Sequence, residues 1–180
     1  MAKTGKADAF VKALRQAIPV GYREVVPCGD IRQSNCYYSS SDIVFKTRYE
    51  ADERYPEVKA GKFTLRGGWR VYSSGPGIYI SLIVTRLLGL RIEYGNLVID
   101  PVIPGSMDGL SAAIDLKGRP MTIRYKVVDN NFSPKTIKVN GEAVQFSLQA
   151  GLYRTGGAVI PLEPFLARLD REANDVEVWL

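Results

Sequence analysis

The sequence predicts an α+β fold, with helices in the first half of the chain and a small antiparallel β-sandwich in the second. Up to about residue 90, apolar residues recur at helical spacing, whereas beyond it short β-prone runs alternate with turn-forming residues. The chain has 180 residues and is 46% hydrophobic, so it can bury a core without disulfides or bound metal.

Two helices are predicted in the first third of the chain. The first spans Ala7–Ala17 and ends where Ile18-Pro19 follows, because proline cannot continue a helix. Residues 20–36 are rich in turn formers and predict an irregular connection. Residues 41–59 then predict one charged amphipathic helix.

A strongly apolar helix is predicted to start near Pro76, whose missing N–H would have no partner in a first helical turn. Gly75 or Ser74 is then the N-cap residue. The free N–H groups of that turn point toward Ser73 and Ser74, an arrangement that attracts anions and above all phosphate. The alternative interpretation is an ordinary capped helix that belongs to the core and binds no ligand.

Short strands at regular spacing predict the sandwich. Asn140-Gly141 is a strong hairpin signal, because both residues tolerate a positive φ. One or two helical turns are predicted at residues 163–170. The predicted extended segments are residues 97–104, 110–116, 121–128, 136–139, 142–148, 158–162 and 175–180.

Composition excludes several classes of chemistry. The chain has no histidine, which excludes Ser-His-Asp and Cys-His arrangements within it and removes the commonest metal ligand. Cys28 and Cys36 could pair, but two cysteines cannot complete a zinc site, and we expect free thiols. Any chemistry must therefore rest on carboxylates, hydroxyls, tyrosines, arginines and backbone groups.

Charge and hydropathy narrow the expected location and partners. No apolar run approaches the length of a membrane span, and the N-terminus lacks the apolar stretch of a signal peptide. We therefore expect a cytoplasmic protein without membrane contact. The net charge is +5, and the basic excess lies in the first hundred residues, which also hold the candidate anion site. The basic residues are scattered, so nucleic acid is not an expected partner.

Residues 67–77 run Gly-Gly-Trp-Arg-Val-Tyr-Ser-Ser-Gly-Pro-Gly. This segment resembles the Gly-Gly-Trp-Thr-Trp-Tyr-Thr-Gly-Ser-Ala-Gly segment of glycoside hydrolase family 94. That family includes cellobiose phosphorylases, 1,2-β-oligoglucan phosphorylases and cyclic β-1,2-glucan synthases. Residues 87–91, 94–104 and 158–162 are similar to later family segments in the same order, so the resemblance covers most of the chain.

The resemblance implies a fold and a domain organisation. Family members carry their active site in an (α/α)6 barrel, which a small β-sandwich follows. Residues 1–92 would be the last helices of that barrel, and residues 93–180 would be the sandwich. The chain departs from the family pattern at Val71, where the family has an aromatic residue, and at Ser74, where it has glycine.

The resemblance also implies a reaction. Inorganic phosphate, as co-substrate, attacks a β-glucan oligosaccharide with inversion and releases α-glucose 1-phosphate, and neither a cofactor nor a metal is expected. Carried over position by position, the phosphate-binding residues are Ser73 and Ser74, and Gly75, next to them at the predicted start of the helix, is expected to bind phosphate as well. Further candidates for substrate or phosphate contacts are Tyr37, Tyr38, Arg70 and Tyr72. For the two adjacent tyrosines, aromatic packing at a helix entry is the alternative.

The chain shows no counterpart of the family's general-acid aspartate, so no catalytic residue is assigned. We expect the chain to be inactive alone and to need the remaining catalytic region or another chain, whether it is an excised piece, one product of a split gene or a truncated remnant. An exposed apolar face is expected where the missing helices would pack, and with it homo-oligomerisation or a partner chain. The alternative function is a non-catalytic carbohydrate-binding or scaffold module based on the sandwich.

Overall fold

The computed structural model describes residues 1–17, 45–63, 75–128 and 132–180. The chain divides into two compact units, one of Met1–Val11 with Ile80–Leu180 and the other of Lys12–Tyr79. Helix α1 spans Ala7–Ala17, as predicted.

The single helix predicted at residues 41–59 is wrong within the described part of that range. Two short helices replace it, α2 (Arg48–Glu53) and α3 (Tyr55–Lys59). Thr47 is extended, and its side-chain oxygen accepts a hydrogen bond from the Glu50 N–H at 3.2 Å, so the first of them begins there. Pro56 lies in the first turn of α3 and has no N–H to donate back into α2, so the two helices do not join.

Helix α4 spans Gly75–Leu82 and continues into one turn of π-helix at Ile83–Leu87. Pro76 lies in its first turn, where the missing N–H costs no helical hydrogen bond. The π-helical turn is closed by the Leu88 N–H, which donates to the Ile83 carbonyl at 2.8 Å.

Two β-sheets occupy the first unit. The strand order is β1-β2-β8-β7 in one sheet and β3-β4-β9-β5-β6 in the other. The strands are β1 Leu90–Glu93, β2 Asn96–Ile99, β3 Ser111–Asp115, β4 Pro120–Lys126, β5 Thr136–Val139, β6 Glu142–Ala143, β7 Ser147–Leu148, β8 Ala158–Pro161 and β9 Asp175–Trp179.

Strand β1 is absent from the predicted set. It pairs with β2 through a two-residue turn at Tyr94-Gly95, whose φ angles are 49° and 77°. Two successive positive φ angles match the twist of the flanking strands, which is why such a turn can close a tight hairpin. The predicted segment 97–104 is a strand only as far as Ile99.

Two further strand predictions are wrong. Residues 142–148 form two strands rather than one, because β6 pairs in the second sheet and β7 in the first. The pairing of β4 with β9 is parallel, so the sandwich is mixed rather than antiparallel. Parallel neighbours need a long connection, and here it includes helix α5 (Leu162–Leu166) between β8 and β9.

The inward-facing side chains of both sheets form one hydrophobic core. Burial alternates along β9, where Val176 and Val178 are fully buried between partly exposed neighbours. Phe165 of α5 is also fully buried in this core. The β-sandwich part of the predicted fold is therefore confirmed, whereas the relation of the helices to an (α/α)6 barrel stays a prediction.

Tyr125 connects the five-stranded sheet, to which β4 belongs, with the segment that precedes β1 of the four-stranded sheet. It is fully buried in β4, and its hydroxyl donates a hydrogen bond to the Leu88 carbonyl at 2.6 Å. Burial raises the pKa of the Tyr125 phenol well above its ordinary value. The folded chain therefore keeps this proton at a pH where an exposed tyrosine loses it.

The variant Tyr125→Phe is expected to lower the free energy of unfolding by about 1–3 kcal/mol at neutral pH, because the Leu88 carbonyl loses its buried donor. Above about pH 10 this difference should shrink, since the unfolded chain releases the Tyr125 proton there and the folded chain does not. Urea unfolding at neutral and alkaline pH measures both effects. Tyr153→Phe, at a side chain 66% exposed, is the control. Parallel pH profiles for Tyr125→Phe and the unsubstituted chain would contradict this role of burial.

Candidate functional site

Most of the predicted phosphate and substrate residues lie outside the described residues. Gly75 is the exception and is the first residue of α4. The others are Ser73, Ser74, Arg70, Tyr72, Tyr37 and Tyr38. The predicted phosphate site therefore stays a prediction.

A cleft of about 470 Å³ lies in the β-sandwich unit. A 3₁₀ turn at Ala2–Thr4, the π-helical turn, the end of β2 and the loop between β7 and β8 contribute to its wall. The residues that line it include Lys3, Arg86, Asp100, Leu152, Tyr153 and Arg154.

Asp100 is held by the backbone at the end of β2, the strand between β1 and β8. Its N–H donates to the Gly89 carbonyl at 2.9 Å. A Cβ on Gly89 would lie 2.2 Å from the Asp100 carbonyl carbon, and a Cβ on Gly157 would lie 2.4 Å from the Asp100 Cβ. The two neighbouring segments thus approach Asp100 more closely than any other residue would allow.

The Asp100 carboxylate lies between two guanidinium groups. Its Oδ2 is 3.2 Å from Arg91 Nη2, and its Oδ1 is 2.7 Å from Arg154 Nη2. Arg91 donates a hydrogen bond, whereas the Arg154 contact is an ion pair without hydrogen-bond alignment at Oδ1. Arg91 also contacts Glu93 Oε1 at 2.7 Å and donates to the Thr85 carbonyl at 3.2 Å. The three side chains of the cluster are only 12–15% exposed, so solvent screens them weakly.

Arg86 differs from these two arginines. It is half-buried in the π-helical turn and lines the cleft, and its guanidinium has no partner among the described residues. Lys3 also lines the cleft and forms no ion pair within the part of the chain that the structure describes. The described wall therefore carries three cationic side chains and a single carboxylate, which Arg91 and Arg154 already engage.

None of these charged residues is among the predicted site residues. The Arg91–Asp100 pair could have been found from the hairpin, because Arg91 opposes Val98 and Asp100 is two residues farther along on the same face. No such signal connects Arg154 to them, since it lies on a distant loop whose position depends on how β7 and β8 join the sheet.

Residues 1–17, 45–63, 75–128 and 132–180 contain neither a metal-binding group nor a membrane-spanning helix. No three His, Cys, Asp or Glu side chains there form a group that could hold a metal ion. Among the same residues, no helix has the length and apolar character needed to cross a membrane. The arrangement that the structure shows is electrostatic, and it is suited to binding an anion.

The fold and the site define a small mixed β-sandwich with a basic cleft. Residues 89–179 match the family model described as glycoside phosphorylase C-terminal domain. The 1,2-beta-oligoglucan phosphorylase of Listeria innocua serovar 6a is 40% identical over 161 residues, 89% of this chain and 14% of that protein. The chain belongs to the glycoside phosphorylase C-terminal domain family. This membership confirms the predicted resemblance to the C-terminal portion of a family 94 phosphorylase. The chain spans 14% of the length of this curated relative.

Proposed function

We propose that this chain is a C-terminal part of an inverting β-glucan phosphorylase that supplies part of the phosphate pocket but not the general acid. Its similarity to the Listeria protein is the observation that carries the proposal. Any stretch of 161 residues in a chain of 180 includes residues 20–161, so the similarity extends over every predicted phosphate and substrate residue. In this proposal residues 1–92 complete a helical catalytic domain, and residues 93–180 follow it.

In this reaction, the main task of this part of the protein is to position phosphate. Phosphate is already an anion, so it can attack the anomeric carbon without a general base if donors hold it in place. Ser73 and Ser74 would present hydroxyls to it, together with the first free N–H groups of α4. Arg70 would add a positive charge. The acid that protonates the leaving oxygen would come from the remaining catalytic region or from another chain.

The surface of α4 supports the need for such a partner. Ile78 and Ile80 are 59% and 58% exposed, although both are large apolar side chains on one short helix. Residues two apart do not share a helix face, so α4 exposes apolar surface on more than one side, and such surface commonly marks a contact region. We propose that the remaining catalytic region covers them.

A chimaera tests this function. The 161-residue segment of the Listeria protein would be replaced by this chain, and phosphorolysis of β-1,2- and β-1,4-glucooligosaccharides would be followed by release of glucose 1-phosphate. We expect activity from the chimaera and none from the chain alone. In the chimaera, Ser73→Ala is expected to lower kcat/KM about tenfold or more, because a donor that positions phosphate is lost.

The matched control is Ser81→Ala, which removes an exposed hydroxyl from α4. Activity of the chain alone would show that one of its own carboxylates is the acid. A chimaera that folds but has no phosphorolysis activity, together with retention of the chain alone on a glucan column, would favour the carbohydrate-binding module instead.

A further inference from the structure

We propose that the cleft around Arg86 and Arg154 binds a phosphate group, carried either by inorganic phosphate or by a phosphate monoester. The inference concerns the β-sandwich unit and does not rest on the proposed function. The cleft carries an excess of positive charge, Arg86 has no partner among the described residues, and exposed apolar side chains lie at the cleft rim.

The charge balance favours a doubly charged anion. Lys3, Arg86 and Arg154 line the cleft, and Asp100 is the single acidic side chain among its described lining residues. The Asp100 carboxylate is held by Arg91 and Arg154, so it does not neutralise Arg86. A concave wall with an excess of positive charge concentrates anions, and a phosphate dianion gains more from it than a monoanion does.

Arg86 is the candidate phosphate ligand of the cleft wall. Its backbone is fixed, because its carbonyl accepts a hydrogen bond from the Val102 N–H at 3.1 Å. The residue is half-buried, and its guanidinium forms no ion pair with a carboxylate of the described chain. The planar fork of a guanidinium donates two parallel hydrogen bonds to phosphate oxygens. An incoming phosphate would supply the acceptors that Arg86 lacks.

Arg154 is a second, preorganised cation. Its Nη2 is paired with Asp100, and its Nη1 donates to the Thr155 carbonyl at 3.2 Å. Its guanidinium carbon also lies 5.7 Å from the centre of the Phe132 ring. These contacts hold the charge at the cleft wall before any ligand arrives, so little side-chain entropy would be lost on binding.

The rim of the cleft suggests that the phosphate is part of a larger molecule. Leu152 and Tyr153 are 88% and 66% exposed, and both line the cleft beside Arg154. Apolar and aromatic side chains next to a few polar groups are typical of sites for organic ligands. The carbon skeleton of a phosphate monoester could pack against them, whereas inorganic phosphate could not.

The test is a titration of the full ¹⁵N-labelled chain with inorganic phosphate, and separately with α-glucose 1-phosphate, at constant ionic strength. Saturable shifts are expected at the backbone amides of Gly151, Arg154 and Gly156. In Arg86→Gln the affinity is expected to fall about tenfold or more, since a charged bidentate partner is removed. Arg86→Lys keeps the charge without the fork and should show an intermediate loss. Arg171→Gln, at an exposed arginine outside the cleft, should bind as the unsubstituted chain does.

Shifts at Ser73 and Ser74 test the phosphate site proposed above, whereas the shifts that the Arg86 variants weaken test this cleft. Tighter binding of the ester, with the gain lost in Tyr153→Ala, assigns a monoester as the ligand. Tighter binding of inorganic phosphate assigns that ion, and equal affinities show that the phosphate group alone is recognised. Shifts that rise linearly without saturation overturn the inference. Saturable shifts that are unchanged in both Arg86 variants overturn it as well.

Discussion

Replacing Gly89 with alanine is expected to lower the free energy of unfolding of the β-sandwich by about 3–5 kcal/mol, which could prevent folding. Two costs add at this position. Gly89 has a φ of +72°, where an L-residue with a side chain is strained, and the new Cβ would lie 2.2 Å from both Asp100 C and Pro101 N. Both neighbours are backbone atoms in a buried segment, so neither can move aside cheaply. Urea unfolding followed by circular dichroism would measure the loss.

Two other glycines separate the two costs. Gly95→Ala shares the positive φ, at +77°, but its Cβ would meet nothing within 4 Å, so only about 1–2 kcal/mol should be lost. Gly157→Ala lacks the positive φ, but its Cβ would lie 2.4 Å from the Asp100 Cβ and 2.5 Å from the Ile99 carbonyl oxygen. If Gly89→Ala were no more harmful than Gly95→Ala, the close approach at Asp100 would not be a constraint on folding.

The second large effect is expected at Asp100. Asp100→Asn keeps the size of the side chain but leaves the Arg154 guanidinium, 15% exposed, without its carboxylate. Arg91 keeps Glu93 and loses Asp100. Removing one partner of a largely buried ion pair leaves a desolvated charge, so we expect a loss of about 3 kcal/mol of unfolding free energy.

The double variant Asp100→Asn with Arg154→Gln gives the decisive comparison. The second change removes the guanidinium charge that Asp100→Asn leaves unpaired. The double variant should therefore be more stable than the sum of the two single losses predicts. Strict additivity would show that the two side chains do not act as a pair. Glu172→Gln, which removes an exposed carboxylate elsewhere in the same unit, is the matched control and should change stability little.

Local sequence signals predicted most elements of the described fold, and they failed where the choice depended on distant partners. Thr136–Val139 and Ala7–Ala17 were predicted with the bounds that the structure shows, because each has a clear period and a clear stop. The helix over residues 41–59 failed because the cap at Thr47 and the missing N–H of Pro56 outweigh amphipathic spacing.

The residues of the cleft also divide into those that local sequence signals can place and those that depend on distant segments. The register of the β1–β2 hairpin, which the Tyr94-Gly95 turn sets, suffices to place Asp100 beside Arg91. Arg86 and Arg154 reach the cleft only because the π-helical turn and the β7–β8 loop meet the end of β2 in the folded unit. Their contribution could not be predicted from spacing along the chain.

The sequence alone determined that helices precede a β-sandwich, that histidine chemistry is excluded, and that the chain resembles a glycoside phosphorylase. Each of these follows from local periodicity, composition or an ordered set of motifs, all of which are properties of the linear chain. Only the tertiary structure decided that β9 lies parallel to β4, that residues 142–148 divide between the sheets, and that Asp100 lies between Arg91 and Arg154. These choices depend on which distant segments bury apolar surface together. The free energy gained by this burial is distributed over the whole core.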